Sequence, residues 1–218
     1  KILILGDVML DKYIWGEVTR ISPEAPVQVV NVSRESYAPG GAANVANNIA
    51  ALDATSIIVG VVGNDRTRDI LSNELKKRNI DVSGLITDSN KRTIKKVRVF
   101  GRSQQLLRFD YEKKDDVDAK TEDLIFSFIS KKIDEIDAVI VSDYAKGTIT
   151  KSLMEKLVKL CNGKKKIMVV DPKPKHKEFY KNVTLITPNN KEANEMTGFA
   201  EEDSSDEHVE KIGKQILR

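Results

Sequence analysis

The sequence predicts an α/β fold: a mostly parallel central sheet flanked by helices, carrying a smaller β-sheet lid. Three observations predict it. Five short runs are rich in Ile, Val and Leu with little alternation, as in strands buried on both faces. Amphipathic helical stripes fall between several of them, the order expected of a parallel sheet. Two further segments alternate instead and break that rhythm.

In chain order, the strand-like runs cover residues 2–5, 57–62, 138–142, 167–171 and 183–187. Helical stripes are Val45, Ile49 and Leu52 in 44–52, Ile70, Leu71 and Leu75 in 65–78, and Leu153, Leu157 and Leu160 in 151–161. Residues 14–36 alternate weakly and contain Pro23 and Pro26, which suits edge strands. Residues 92–111 read as a hairpin turning near Gly101, Arg102 and Ser103. The lid therefore takes segments of about 13–37 and 92–111. "KILILGD" opens inside a strand and "DEHVEKIGKQILR" stops partway through a helical pattern, so residues 1–218 read as one incomplete domain.

The bulk numbers narrow the function classes. With 36 Lys and Arg against 33 Asp and Glu, the net charge is +3. So even a balance points to an ordinary solvated surface and predicts neither nucleic-acid nor membrane binding. The one cysteine, Cys161, excludes an internal disulfide; it suits a reduced, cytoplasmic setting and a structural role. There is no apolar run long enough for a membrane span and no signal-peptide pattern.

In a parallel sheet, ligands sit beyond the carboxyl ends of the strands. The first strand runs into "GDVMLD", with Asp7 at its end and Asp11 four residues on. Neither G-x-G-x-x-G nor G-x-x-x-x-G-K-[ST] occurs, and acids here suit hydroxyl groups or a metal better than phosphates. A turn or cap role for Asp7 fits equally well. Later strands run into "SDYAKG", with Asp143, and into Asp171-Pro172-Lys173, each pairing an acid with a nearby lysine. The last runs into "TPNNKE", where Asn189 and Glu192 fit either a capping box or the water shell of a Mg²⁺ ion.

The hairpin holds a charge anomaly. Arg98 and Arg108 fall roughly opposite each other, and like charges across a ladder destabilise it. A bound phosphate would resolve the clash; so would solvation of both side chains, or neutralisation of one by Asp110. Gly40 and Gly41 precede a helix with Asn44 one turn in, which suits bare backbone and an amide meeting hydroxyls, or simply close packing. His176 and His208 have no metal-ligand spacing, no G-x-S-x-G elbow is present, and Tyr13 and Trp15 read as packing within the lid.

Taken together, "GDVMLDKY", "TRISPEAPV", "GGAANVANNIAAL", "RSQQLLRFDYE", "SDYAKG", "DPK" and "TPNNKE" resemble the heptose-7-phosphate kinases, within the ribokinase-like carbohydrate kinases. The resemblance spans essentially the whole chain. It implies a ribokinase-like fold and ATP-dependent phosphorylation of the anomeric hydroxyl of heptose 7-phosphate, on the route to ADP-heptose and lipopolysaccharide core. It implies that Asp7, Asp11, Gly40, Gly41 and Asn44 hold sugar hydroxyls, while Arg98 and Arg108, with Lys95 and Gln105, meet the sugar's phosphate. It also implies Asp143 near the transfer site, Lys173 near nucleotide phosphates, Asn189 and Glu192 organising Mg²⁺, and a homodimer formed through the lid. The family's Gly-Ala-Gly-Asp motif, which carries the catalytic base, does not occur in residues 1–218. The expected catalytic Asp therefore lies beyond Arg218, and this chain alone is expected to be inactive.

Overall fold

Alternation decides how the first strand sits. Leu3 and Leu5 point to one side and Ile4 to the other, and all three are fully buried, so both faces of that strand must be covered. The computed structural model describes residues 1–199 and 205–217. In chain order they form β1 (Ile2–Gly6), β2 (Val8–Ile21), β3 (Gln28–Gly41), α1 (Ala42–Ala51), β4 (Ser56–Val62), α2 (Arg66–Lys76) and β5 (Asp81–Thr87). They continue with β6 (Ile94–Gly101), β7 (Gln104–Tyr111), α3 (Ala119–Lys132), β8 (Ala138–Ser142), α4 (Lys151–Gly163), β9 (Ile167–Asp171), β10 (Leu185–Ile186), α5 (Asn190–Thr197) and α6 (Asp206–Ile216).

The central sheet has the order β10-β9-β8-β1-β4-β5 and is parallel throughout. Leu3, Leu5, Val139 and Val141 pack on one side with Ile125 and Ile129 of α3 and Leu153 and Leu157 of α4. Ile4 and Ile58 pack on the other with Ala43 and Ala46 of α1 and Leu71 and Leu75 of α2. Cys161 is part of the first cluster, where burial pushes its thiol up to about 11, so it stays protonated and inert at neutral pH.

The second sheet, β3-β2-β6-β7, is the lid. One residue, Asp7, separates β1 from β2, and β3 runs directly into α1, so the lid rises from the carboxyl end of the central sheet. Of the expected edge strands, β3 is one; β2 lies inside the sheet, paired on both sides. Pro23 and Pro26 fall in the turn between them, where no ladder N–H is needed. The hairpin turns at Arg102 and Ser103, with Arg102 in the left-handed region, as the sequence predicts.

Two elements escape the sequence pattern. Strand β5 carries Gly84 and polar residues, and β4 alone pairs with it; α3 presents Ile125 and Ile129 within a charged surface. The run expected at 183–187 narrows to Leu185–Ile186, although Thr184 and Thr187 still donate to Met168 and Val170.

Gly40 and Gly41 are explained first by packing. Gly41 has φ +55°, and a Cβ there would run into the Asp7 carbonyl and the Met9 side chain. A Cβ on Gly40 would come within 2.7 Å of the Asp11 carboxylate, a flexible group that can yield. We therefore expect Gly41→Ala to cost about 2–4 kcal/mol in urea denaturation, because strain at positive φ adds to a backbone clash. Gly163→Ala, at the end of α4 with nothing within 4 Å of the added carbon, should change stability by less than about 1 kcal/mol.

Candidate active site

Four loops leave the carboxyl ends of β1, β8, β9 and β10, and each bonds to the next through its side chains. Asp7 is the first residue out of β1 and is fully buried. Its Oδ2 accepts from the backbone N–H of Tyr144 at 2.9 Å and of Lys146 at 3.1 Å, and its Oδ1 from Thr148 at 3.1 Å. Burial raises its carboxyl above the ordinary value, and the N–H groups pull the other way. Three backbone donors and the Thr148 hydroxyl surround the carboxyl and favour its ionised form, against the burial that raises it. Asp7 thus holds the loop after β8, with its carboxylate wholly buried.

Asp143 is spent in a similar way. Its Oδ1 accepts from Ala145 N–H at 2.6 Å, while Oδ2 lies 2.7 Å from both the Tyr180 hydroxyl and His176 Nδ1. With Tyr144, Ala145, Lys146 and Thr148 N–H all bound internally, the loop is fixed even though Ala145 (φ +53°) and Gly147 (φ +95°) are left-handed. What it offers outward is the side chains of Tyr144 and Lys146. Lys146 pairs with Glu112 at 2.7 Å, and Lys173 Nζ lies 5.5 Å from the centre of the Tyr144 ring.

On the β9 and β10 side, acids crowd together. Burial and the charge of Glu192 raise the Asp171 carboxyl, and Lys173 counters them with an ion pair to Glu192 Oε1. Asn189 and Glu192 form a complete capping box for α5, so of their two sequence readings the cap is realised. Every donor here is oxygen, which suits Mg²⁺. Among the described residues no three His, Cys, Asp or Glu are grouped closely enough to hold an ion directly.

Register sorts the lid residues by face. Asp11, Lys96 and Asp110 are cross-strand neighbours on the face toward the loops; Tyr13, Arg98 and Arg108 form the next row, and Trp15, Phe100 and Gln105 the third. Arg98 and Arg108 do stand opposite each other, as expected. Each is neutralised by its own carboxylate: Arg98 by Asp11 at 2.6 Å, and Arg108 by Asp110 through two bonds of 2.9 and 2.8 Å. The rings of Tyr13, Trp15 and Phe100 stack, as packing within the lid requires.

Lys95 is not brought to this face. Three residues from Arg98, it points to the opposite side, where its Nζ lies 4.3 Å from the centre of the Tyr111 ring. Lys96 takes its place, and the period of two was enough to choose between them. Asn44 lies exposed in the first turn of α1. Tyr144, His176 and Tyr180 were missed because each depends on which loop its neighbour meets, whereas Lys146 is the lysine already paired with Asp143 in "SDYAKG".

A parallel sheet with acids and lysines beyond its carboxyl ends, closed by a β lid with a cationic inner face, defines a carbohydrate-kinase type of domain. The pfkB family of carbohydrate kinases matches residues 1–217, and the chain belongs to that family. It is 43% identical over 217 residues to the bifunctional protein HldE of Desulfatibacillum aliphaticivorans, and 40% identical over 215 residues to that of Geobacter sulfurreducens. These matches cover 100% and 99% of this chain but 44% of each relative. The fold also matches phosphofructokinase-2 from Escherichia coli in complex with substrates and products, with a TM-score of 0.71, 20% identity, and coverage of 99% of this chain and 68% of that one. Arabidopsis thaliana ribokinase complexed with ribose and ATP gives 0.68 and 15%, with coverage of 98% and 68%.

The Asp7 cradle yields a stability test. Asp7→Asn keeps the shape but turns an amide N–H₂ toward N–H groups that need an acceptor. We expect a loss of about 2–3 kcal/mol, lowering the thermal midpoint by roughly 5–10 °C in calorimetry. A change below about 2 °C would mean the loop does not depend on that carboxylate.

Proposed function

We propose that this chain is the sugar-binding part, with some of the phosphate side, of an ATP-dependent kinase. Its substrate would be D-glycero-D-manno-heptose 7-phosphate, phosphorylated at the anomeric hydroxyl to the 1,7-bisphosphate that feeds ADP-heptose and lipopolysaccharide-core synthesis. The observation that carries the reading is the inner lid face, where Lys96, Arg98 and Arg108 stand in adjacent register positions beside Asp11. Three cations together suit a phosphate dianion, and a carboxylate beside them suits hydroxyls. The printed name of the HldE relatives and the family match support the same reading.

In this account Asp11 and Asn44 receive sugar hydroxyls beside the bare backbone of Gly40 and Gly41, with Gly40 leaving room for the Asp11 carboxylate. Arg98, Arg108 and Gln105 take the 7-phosphate, with Lys96 in the role first expected of Lys95. Asp7 and Asp143 shape the loop that presents Tyr144 and Lys146. Lys173 meets ATP phosphates, while Asn189, Glu192 and Asp171 orient waters around Mg²⁺, which when bound supplies charge to stabilise the transferring phosphoryl group. In this proposal the base that deprotonates the attacking hydroxyl belongs to a Gly-Ala-Gly-Asp motif, which does not occur in residues 1–218. The cytoplasmic setting in this proposal rests on the single, buried Cys161; separately, no helix among the described residues is long and apolar enough to cross a membrane. Two copies would pair through the outer lid face, where Leu107 and Phe109 are 50% and 45% exposed.

Arg98→Ala and Arg108→Ala in the full-length protein should each raise KM for heptose 7-phosphate about tenfold or more, since a charged hydrogen bond is worth about 1.5–3 kcal/mol. Lys95→Ala, on the other face, should change it less than about twofold. Unaltered KM in both arginine variants would remove the phosphosugar assignment.

A further inference from the structure

The run Asp171-Pro172-Lys173-Pro174 has an unusual backbone problem. Neither proline has an N–H, so Lys173 supplies the one main-chain donor across residues 172–174. That donor is taken by the Tyr180 hydroxyl at 3.0 Å, and the Lys173 carbonyl accepts from His176 N–H at 2.8 Å. Tyr180 and His176 thus hold the Lys173 peptide from both sides. Each then uses its side chain on one further atom, Asp143 Oδ2, at 2.7 Å.

All three side chains are buried: Asp143 at 1%, Tyr180 at 5% and His176 at 6% exposure. The His176 ring stacks on Phe179 with centroids 4.6 Å apart, which fixes its plane. Burial pushes the Tyr180 phenol far above its ordinary value, so its hydroxyl remains a proton donor to Asp143 while accepting from Lys173. The same Asp143 carboxylate closes the 143–148 loop through Ala145 N–H. One carboxylate oxygen pair therefore ties the loop after β8 to the lysine after β9.

We infer that Tyr180 and His176 are positioning residues that set Lys173 for the nucleotide's phosphates, with Asp143 as their shared anchor. The inference rests on the proposed kinase reading. It gives these residues a task that cap formation and core packing do not require. Lys173 is reached by a Glu192 ion pair at its tip and by this network at its base, so its ammonium has little freedom to search for a phosphate. Loosening the base should weaken nucleotide binding and spare sugar binding, because the sugar-side residues Asp11, Arg98 and Arg108 sit on the lid and share no bond with Tyr180 or His176.

The test is calorimetric titration of the full-length protein with a non-hydrolysable ATP analogue plus Mg²⁺, and separately with heptose 7-phosphate. Tyr180→Phe and His176→Ala should each raise the Kd for the analogue about fivefold or more and alter that for the sugar phosphate less than twofold. His176→Asn, which keeps an N–H within reach of Asp143, should recover most of the loss. Equal weakening of both ligands, or unchanged analogue binding, would overturn the inference. Should Tyr180→Phe fail to fold, the two His176 variants decide alone. Wild-type protein that binds the analogue but not the sugar phosphate would instead defeat the substrate reading and leave the positioning role standing.

Discussion

A single buried carboxylate sets the geometry of this crevice. Asp7 is the one residue between the central sheet and the lid, and it carries no exposure at all. Removing such a charge from water is costly unless donors surround it, and the loop after β8 provides three. The same residue's carbonyl receives Ala42 N–H at 3.0 Å, so the start of α1 is fixed to it as well. Central sheet, lid base, helix start and crevice loop meet at one peptide unit. The left-handed Ala145 and Gly147 are tolerated because that unit leaves the loop no alternative.

The lid is arranged on a different principle, alternation of charge across neighbouring strands. Asp11, Lys96 and Asp110 form one row and Arg98 and Arg108 the next, with the arginines reaching diagonally to the acids. An apo lid with three bare cations would repel itself; here the carboxylates hold the cations in place and leave a net positive surface. Such pairs can exchange a carboxylate partner for a phosphate without rebuilding the sheet. In the proposed function, the cost of unpairing Asp11 is offset by a sugar hydroxyl that takes up its oxygens.

Much of this was legible in the residues. Continuous apolar runs predict β1, β4, β8 and β9, because strands buried on both faces need no polar side. The hairpin and the opposition of Arg98 to Arg108 follow from turn position and a period of two. The same period would have exchanged Lys95 for Lys96. Other features depend on tertiary contacts that no local pattern carries. Asp7 reads equally as a hydroxyl ligand or as a turn or cap residue when its three partners lie more than 130 residues away. His176 looks idle in isolation and is the ring that holds Asp143. The capping box formed by Asn189 and Glu192 was one of two readings that the spacing allowed, and the Lys173 ion pair to Glu192 is a tertiary contact that the spacing does not carry.

The proposed function places the site between the inner lid face and the loop after β8. Amide hydrogen exchange, followed residue by residue in the 218-residue chain with and without heptose 7-phosphate, tests that placement most directly. The account predicts that Tyr144, Lys146 and Thr148 exchange slowly even without ligand, and that added sugar phosphate newly protects β6 and β7 while α3 and α4 are unchanged. Fast exchange at those three amides, or ligand protection centred on α5 and α6 in place of the lid, would contradict it.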